Sequence, residues 1–306
     1  MSKKWILAGI FLLAFLSGLF LLFGTTPSEQ EQSDPVVPAP SDTEENTPAS
    51  PSEEETEREE ESDEEASLSE GIREAFSNVI EDARTLFIQN DVNITALGDS
   101  LTQGVGDRTD QGGYVGILEE SINQNVDLGE EKVTIDNFGK RGNRTDQLLK
   151  RMEQEEIQSS IEQADLLLIT IGANDVMKVI KENVSSLDYQ QFVEAQSQYE
   201  TNLREIFANI RELNPEASIY ILGVYNPFNE YFNHIPELNR IMNDWNRITQ
   251  DVMTEFEGTT FIPIRDIFEN TEEDLLWEDN FHPNELGYKR MAARVLEYIR
   301  DDIEEQ

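Results

Sequence analysis

Ala96-Leu97-Gly98-Asp99-Ser100-Leu101-Thr102-Gln103-Gly104 closes an extended run that begins at Val92. An apolar strand that stops at a small-residue turn presents its serine hydroxyl at the carboxyl edge of a sheet, where open α/β folds place their ligands. Gly98 permits the sharp turn, and Gly104 lets the chain fold back closely. Gly-Asp-Ser alone is ordinary turn chemistry, so its meaning depends on what the other junctions carry. Outward from it, strand patterns (92–97, 133–138, 165–171, 218–224, 259–264) alternate with helical ones (114–124, 145–153, 189–213, 238–256, 285–303). Such alternation predicts a parallel sheet between two helical layers, a three-layer α/β/α sandwich. Leu166-Leu167-Leu168-Ile169 is apolar on both faces, as a central covered strand should be. Asn214-Pro215 is expected to stop the helix over 189–213 and Asn284 to cap the last one.

The start of the chain reads differently. Lys3 and Lys4 precede an uncharged apolar run over 5–23. About 19 residues at about 1.5 Å each span a hydrocarbon core of roughly 30 Å. Phe20-Leu21-Leu22-Phe23 passes straight into Gly24-Thr25-Thr26-Pro27 without a small-x-small cleavage site. The run is longer than the apolar region of a secretory signal, so residues 1–24 are read as an uncleaved signal anchor with its basic end cytoplasmic. Cleavage would instead release the chain. Residues 25–69 are rich in Pro, Ser, Thr and Glu, with an acidic run at 53–65, and read as a disordered spacer. Residues 71–90 have a helical pattern and open the folded part, 70–306.

The formal charge of −40, from 63 acidic and 23 basic residues, argues against nucleic acid as a partner. No cysteine is present, which removes disulfides, thiolate chemistry and Cys-based zinc sites. Only two histidines occur, and no P-loop, dinucleotide or His-Glu-x-x-His pattern, so no metal and no organic cofactor is implied.

The strand-to-helix junctions of a parallel sheet lie on one edge, so residues remote in sequence converge there. They are Gly98-Asp99-Ser100, then Asn137-Phe138-Gly139-Lys140-Arg141-Gly142, then Gly172-Ala173-Asn174-Asp175, and finally Asp279-Asn280-Phe281-His282 before the last helix. In this order and spacing the blocks resemble the signature blocks of the SGNH hydrolases, the GDSL-type lipases and esterases. The resemblance covers residues 90 to 300 and implies a flavodoxin-like five-stranded sheet and ester hydrolysis. It maps Ser100 as nucleophile, His282 as base and Asp279 as the residue that orients the imidazole. It maps the oxyanion hole to the N–H groups of Ser100 and Gly142 and to Nδ2 of Asn174. Gly142 is chosen over Gly139 because the family's glycine sits five residues after the asparagine. Asp99 and Asp175 are given structural roles, and His234 is placed on the surface or a substrate loop.

Tyr225, Phe228, Tyr231 and Phe232 follow the fourth strand at the same edge and are candidate pocket walls, and 176–187 is a candidate lid; the alternative for both stretches is a packed connection. The expected partners are an ester substrate, lipid or acylated glycan, and a membrane through the N-terminal helix, with no obligate protein partner. A non-catalytic binding module of this fold would have no need of Ser100, Asp279 and His282 together.

Overall fold

The structure, a computed structural model, describes residues 92–109, 112–123, 133–228, 236–269, 271 and 273–304. The expected anchor, the acidic spacer and the helix expected over 71–90 lie outside these residues. Among the described residues no helix is long and apolar enough to cross a membrane.

The elements in order are β1 (Ile94–Gly98), α1 (Ser100–Gln103), α2 (Gly113–Asn123), β2 (Ile135–Gly139), α3 (Thr145–Arg151), α4 (Glu155–Gln163), β3 (Leu166–Thr170) and α5 (Ala173–Glu182). There follow α6 (Tyr189–Leu213), β4 (Ser218–Leu222), α7 (Pro236–Met253), β5 (Thr259–Ile262), a 3-10 turn (Arg265–Ile267) and α8 (Glu285–Glu304). All pairings are parallel and the strand order is β2-β1-β3-β4-β5. The five expected strands are all present. From β1 the chain passes to β2 on one side and then crosses to β3 on the other, which puts the topological switch point of the sheet at the carboxyl ends of β1 and β3.

Alternation along each strand sorts the core into two layers. Ile94 and Ala96 of β1, Leu166 and Leu168 of β3, and Tyr220 and Leu222 of β4 pack with α2 and α8. The intervening residues Leu97, Leu167, Ile169, Ile219 and Ile221 are fully buried on the opposite face, beneath the layer built around α6. That helix starts in a capping box: Asp188 accepts from Gln190 N at 2.9 Å, and Gln191 Oε1 accepts from Asp188 N at 3.0 Å. It ends at Asn214, as the Asn-Pro signal predicts. Asn284 likewise caps α8, its Oδ1 accepting from Gly287 N at 3.0 Å.

Two segments add to the sequence expectation. Residues 155–163 form a helix, and residues 173–182, which overlap the first part of the candidate lid at 176–187, form a packed helix with Val176, Met177, Val179 and Ile180 buried, the packed alternative for that stretch. Four inward side chains on one turn-spaced face hold α5 to the body of the fold, so that half of the candidate lid is a fixed element.

Candidate active site

Register places the site. Gly98 at the end of β1 pairs with Gly139 of β2 and Thr170 of β3, so three strands end level and three loops leave side by side. Gly98 is required by contact: a Cβ there would lie 2.4 Å from the Thr170 carbonyl oxygen. Asp99 N donates to that same carbonyl at 3.1 Å. The Asp99 side chain caps α1, accepting from Leu101 N at 3.0 Å and from Thr170 Oγ1 at 3.0 Å. Thr170 Oγ1 in turn sits 2.6 Å from Thr102 Oγ1. The Gly-Asp-Ser turn is thereby fastened to the central strand. Burial pushes the Asp99 carboxyl up to about 7, outweighing the hydrogen bonds that favour its charge.

Ser100 is the first residue of α1 and is 3 % exposed. Its Oγ lies 2.9 Å from His282 Nε2, and His282 Nδ1 lies 2.6 Å from Asp279 Oδ2. A carboxylate can only accept, so Nδ1 carries the proton and Nε2 offers its lone pair to the serine hydroxyl. The other Asp279 oxygen accepts from Phe281 N at 3.0 Å and His282 N at 2.9 Å. Burial opposes the Asp279 charge, but His282 and these N–H groups overcome it and hold the carboxyl below its ordinary value. The loop carrying both residues is closed on itself: Trp277 N donates to His282 O at 2.7 Å, and Asn280 N to Trp277 O at 2.7 Å.

The loop after β2 is tied to α1. Asn137 Nδ2 donates to Thr102 O at 2.8 Å, Lys140 N to Gly98 O at 3.0 Å and Arg141 N to Gln103 Oε1 at 2.6 Å. Gly139 N is occupied by Asn137 Oδ1 at 2.9 Å. Gly142 has φ +80°, a conformation that favours glycine, and its N–H meets no acceptor among the described residues. The same holds for the N–H of Ser100. Asn174, in the first turn of α5, directs Nδ2 to Asn143 O at 3.0 Å, which lays its amide along the Gly142 loop. Asp99 Oδ2 stands 3.5 Å from the same nitrogen. Two free backbone donors and a fixed side-chain amide thus stand at the edge that carries an activated hydroxyl, a constellation suited to acyl transfer.

Beside Ser100 a crevice of about 20 Å³ is walled by Ile171, Ala173, Val224, Tyr225, Pro227 and Phe281, room for about one water. Tyr225, one of the candidate wall residues, borders this crevice. It also props the histidine loop, its hydroxyl donating to Phe281 O at 2.6 Å while its ring stacks on Phe268 at 4.0 Å. The Phe228 ring is buried with its centroid 6.2 Å from that of Phe281, which lines the crevice. Tyr231, Phe232 and His234 lie outside the described residues. Sequence reasoning missed Phe281 as a wall, and Thr170, a lone polar residue ending an apolar strand, was the available signal for the Asp99 anchorage. Among the described residues no group of three or more His, Asp or Glu is arranged to hold a metal ion.

The sequence profile of the GDSL-like Lipase/Acylhydrolase family matches residues 96–290. The chain is 36% identical over 211 residues to the "uncharacterized protein YpmR" of Bacillus subtilis, covering 68% of this chain and 82% of that protein. It is 29% identical over 208 residues to the spore germination lipase LipC of Bacillus licheniformis, covering 66% and 93%. Among solved structures, the lipase Lip_vut3 from a goat rumen metagenome superposes with a TM-score of 0.58 at 26% identity, over 67% of this chain and 95% of that one.

Proposed function

This chain belongs to the GDSL-like lipase/acylhydrolase family of ester hydrolases, and from that premise we propose that it cleaves carboxylic esters through an acyl-Ser100 intermediate, outside the cytoplasm. The observation that carries the mechanism is the unbroken contact from Ser100 Oγ through His282 to Asp279, at 2.9 and 2.6 Å. Ser100 Oγ attacks the ester carbonyl carbon while His282 Nε2 takes the hydroxyl proton. The carbonyl oxygen becomes an oxyanion, received by the N–H groups of Ser100 and Gly142 and by Nδ2 of Asn174. Collapse expels the alcohol, which leaves with the proton from Nε2. Water then attacks the acyl-serine, gives a proton to Nε2, and the acid departs as Ser100 recovers its hydrogen. Asp279 stays ionised throughout, holding the tautomer and the imidazolium charge.

Extracytoplasmic placement is supported by the uncharged 5–23 run behind Lys3 and Lys4. The lipases among the relatives favour a lipid ester as substrate. A second reading, an O-acetylesterase on envelope polysaccharide, is favoured by the crevice of about 20 Å³ beside Ser100, which would have to open for a long acyl chain. The deciding experiment compares the full chain with Ser100→Ala in detergent, using a fluorophosphonate probe and p-nitrophenyl esters of increasing acyl length. Labelling and turnover that vanish together in the variant establish the nucleophile, and the length series separates acetylesterase from lipase. Turnover that survives Ser100→Ala would discard the mechanism.

A further inference from the structure

Two of the oxyanion donors assigned above, Gly142 N–H and Asn174 Nδ2, follow different strands, β2 and β3, and something must hold them at a fixed spacing. Asp175 sits in the first turn of α5, immediately after Asn174. A carboxylate there would ordinarily serve its own helix, whose free N–H groups lie nearest. It reaches instead to the first residue of α3. Its Oδ2 accepts from Thr145 N at 3.1 Å and its Oδ1 from Thr145 Oγ1 at 2.6 Å. Thr145 is fully buried, and its hydroxyl oxygen also accepts from Asn202 Nδ2 at 2.8 Å. Asn202 is itself buried within α6 and its Oδ1 accepts from Gln198 Nε2 at 2.7 Å. A return bond, Asn174 Nδ2 to Asn143 O at 3.0 Å, closes a ring through both loops.

We propose that Asp175, acting through Thr145 and braced by Asn202, is a positioning residue that sets the spacing between Gly142 N–H and Asn174 Nδ2. The proposal rests on the oxyanion-hole assignment above. Thr145 is three residues after Gly142 and Asp175 is one after Asn174, so the two bonds between them span the mouth of the hole from behind. Burial raises the Asp175 carboxyl to about 6, a strain on its charge that the Thr145 bonds only partly relieve. A carboxylate placed there only to start a helix would gain more from facing water.

A loosened brace leaves substrate binding intact but misplaces the donors when charge develops on oxygen. The test uses the full chain with Asp175→Asn, Thr145→Val and Thr145→Ser, read by kcat and KM on p-nitrophenyl butyrate, inhibition by an aryl trifluoromethyl ketone, and thermal melting. Asp175→Asn and Thr145→Val should lower kcat by about 10–100-fold with KM nearly unchanged, and should weaken the ketone, which binds as a tetrahedral adduct, by a similar factor. Thr145→Ser keeps the hydroxyl and should restore kcat to within about twofold of wild type. Should Asp175→Asn not fold, the valine and serine pair decides. A folded Asp175→Asn or Thr145→Val with wild-type kcat, or with kcat lost and ketone affinity kept, overturns the brace while Ser100-dependent turnover stands. Wild type without Ser100-dependent turnover overturns the assignment on which the brace rests, and the brace with it.

Discussion

Asp279 holds the imidazole with one carboxylate oxygen and its own loop with the other, so charge and geometry are set by one group. Asp279→Asn would keep the shape yet turn an N–H toward Nδ1, favouring the tautomer whose Nε2 is already protonated. Steady-state kinetics should show kcat reduced by about 10⁴-fold, the scale known for this change in serine triads. Asn174→Ala removes one oxyanion donor and should cost about 10²–10³-fold in kcat at little change in KM. Asp99 makes a prediction of the opposite kind, about stability. Its folded value is raised from 3.8 to about 7, so the native state holds a proton that the unfolded chain has released between those values. Its contribution is therefore complete below about pH 4 and lost as pH rises through about 7. Asp99→Asn keeps the helix cap but does not titrate. In urea melts the variant should gain on wild type from pH 4 to pH 7, by no more than about 1.4 kcal/mol per pH unit. A parallel pair of stability curves would show that Asp99 is ionised throughout.

Asn214 shows what an element end can do. Its Nδ2 donates to Ile161 O at 2.8 Å and Ala164 O at 2.7 Å, and its Oδ1 accepts from Ala217 N at 3.1 Å, so the end of α6 is sewn to the end of α4 and the start of β4. Asn214→Ala would strand partly buried backbone groups and should cost about 2–3 kcal/mol in denaturant melts. Being remote from Ser100, it should leave kcat of the folded protein unchanged. The strands were legible because each is a short apolar run stopped by a junction; Leu166 to Thr170 needs no other information than its hydrophobicity. Helix α4 was not, since Ile157 and Ile161 are the only large apolar residues in a stretch that otherwise reads as a polar loop. Helix α5 was half legible: its apolar stripe begins two residues after Asn174, where the motif drew the reading toward a lid. The site blocks were visible as residue types at junctions. Their fastening by Thr170, Thr145 and Asn202 was not, because hydrogen bonds between residues 57 or 71 positions apart leave no local pattern.

At the scale of the molecule, the apolar run at 5–23 and the net charge of −40 predict opposite behaviours for its two ends. The first favours the bilayer, and the second keeps a strongly acidic body away from anionic headgroups. Full-length chain expressed in a bacterium should resist alkaline carbonate extraction from membranes, and deletion of 5–23 should move it to the soluble fraction. Recovery of a soluble species shortened at its N-terminus would favour release by cleavage. The loop before α8 brings His282 to Ser100 at the end of β1, across 182 positions of sequence. During synthesis the serine emerges early, and nothing activates it until almost the whole polypeptide has been made and the last loop has closed over β1. A ribosome-bound or prematurely terminated product carries a harmless hydroxyl. Hydrolytic competence thus arrives late in biogenesis, once His282 and Asp279 have been made.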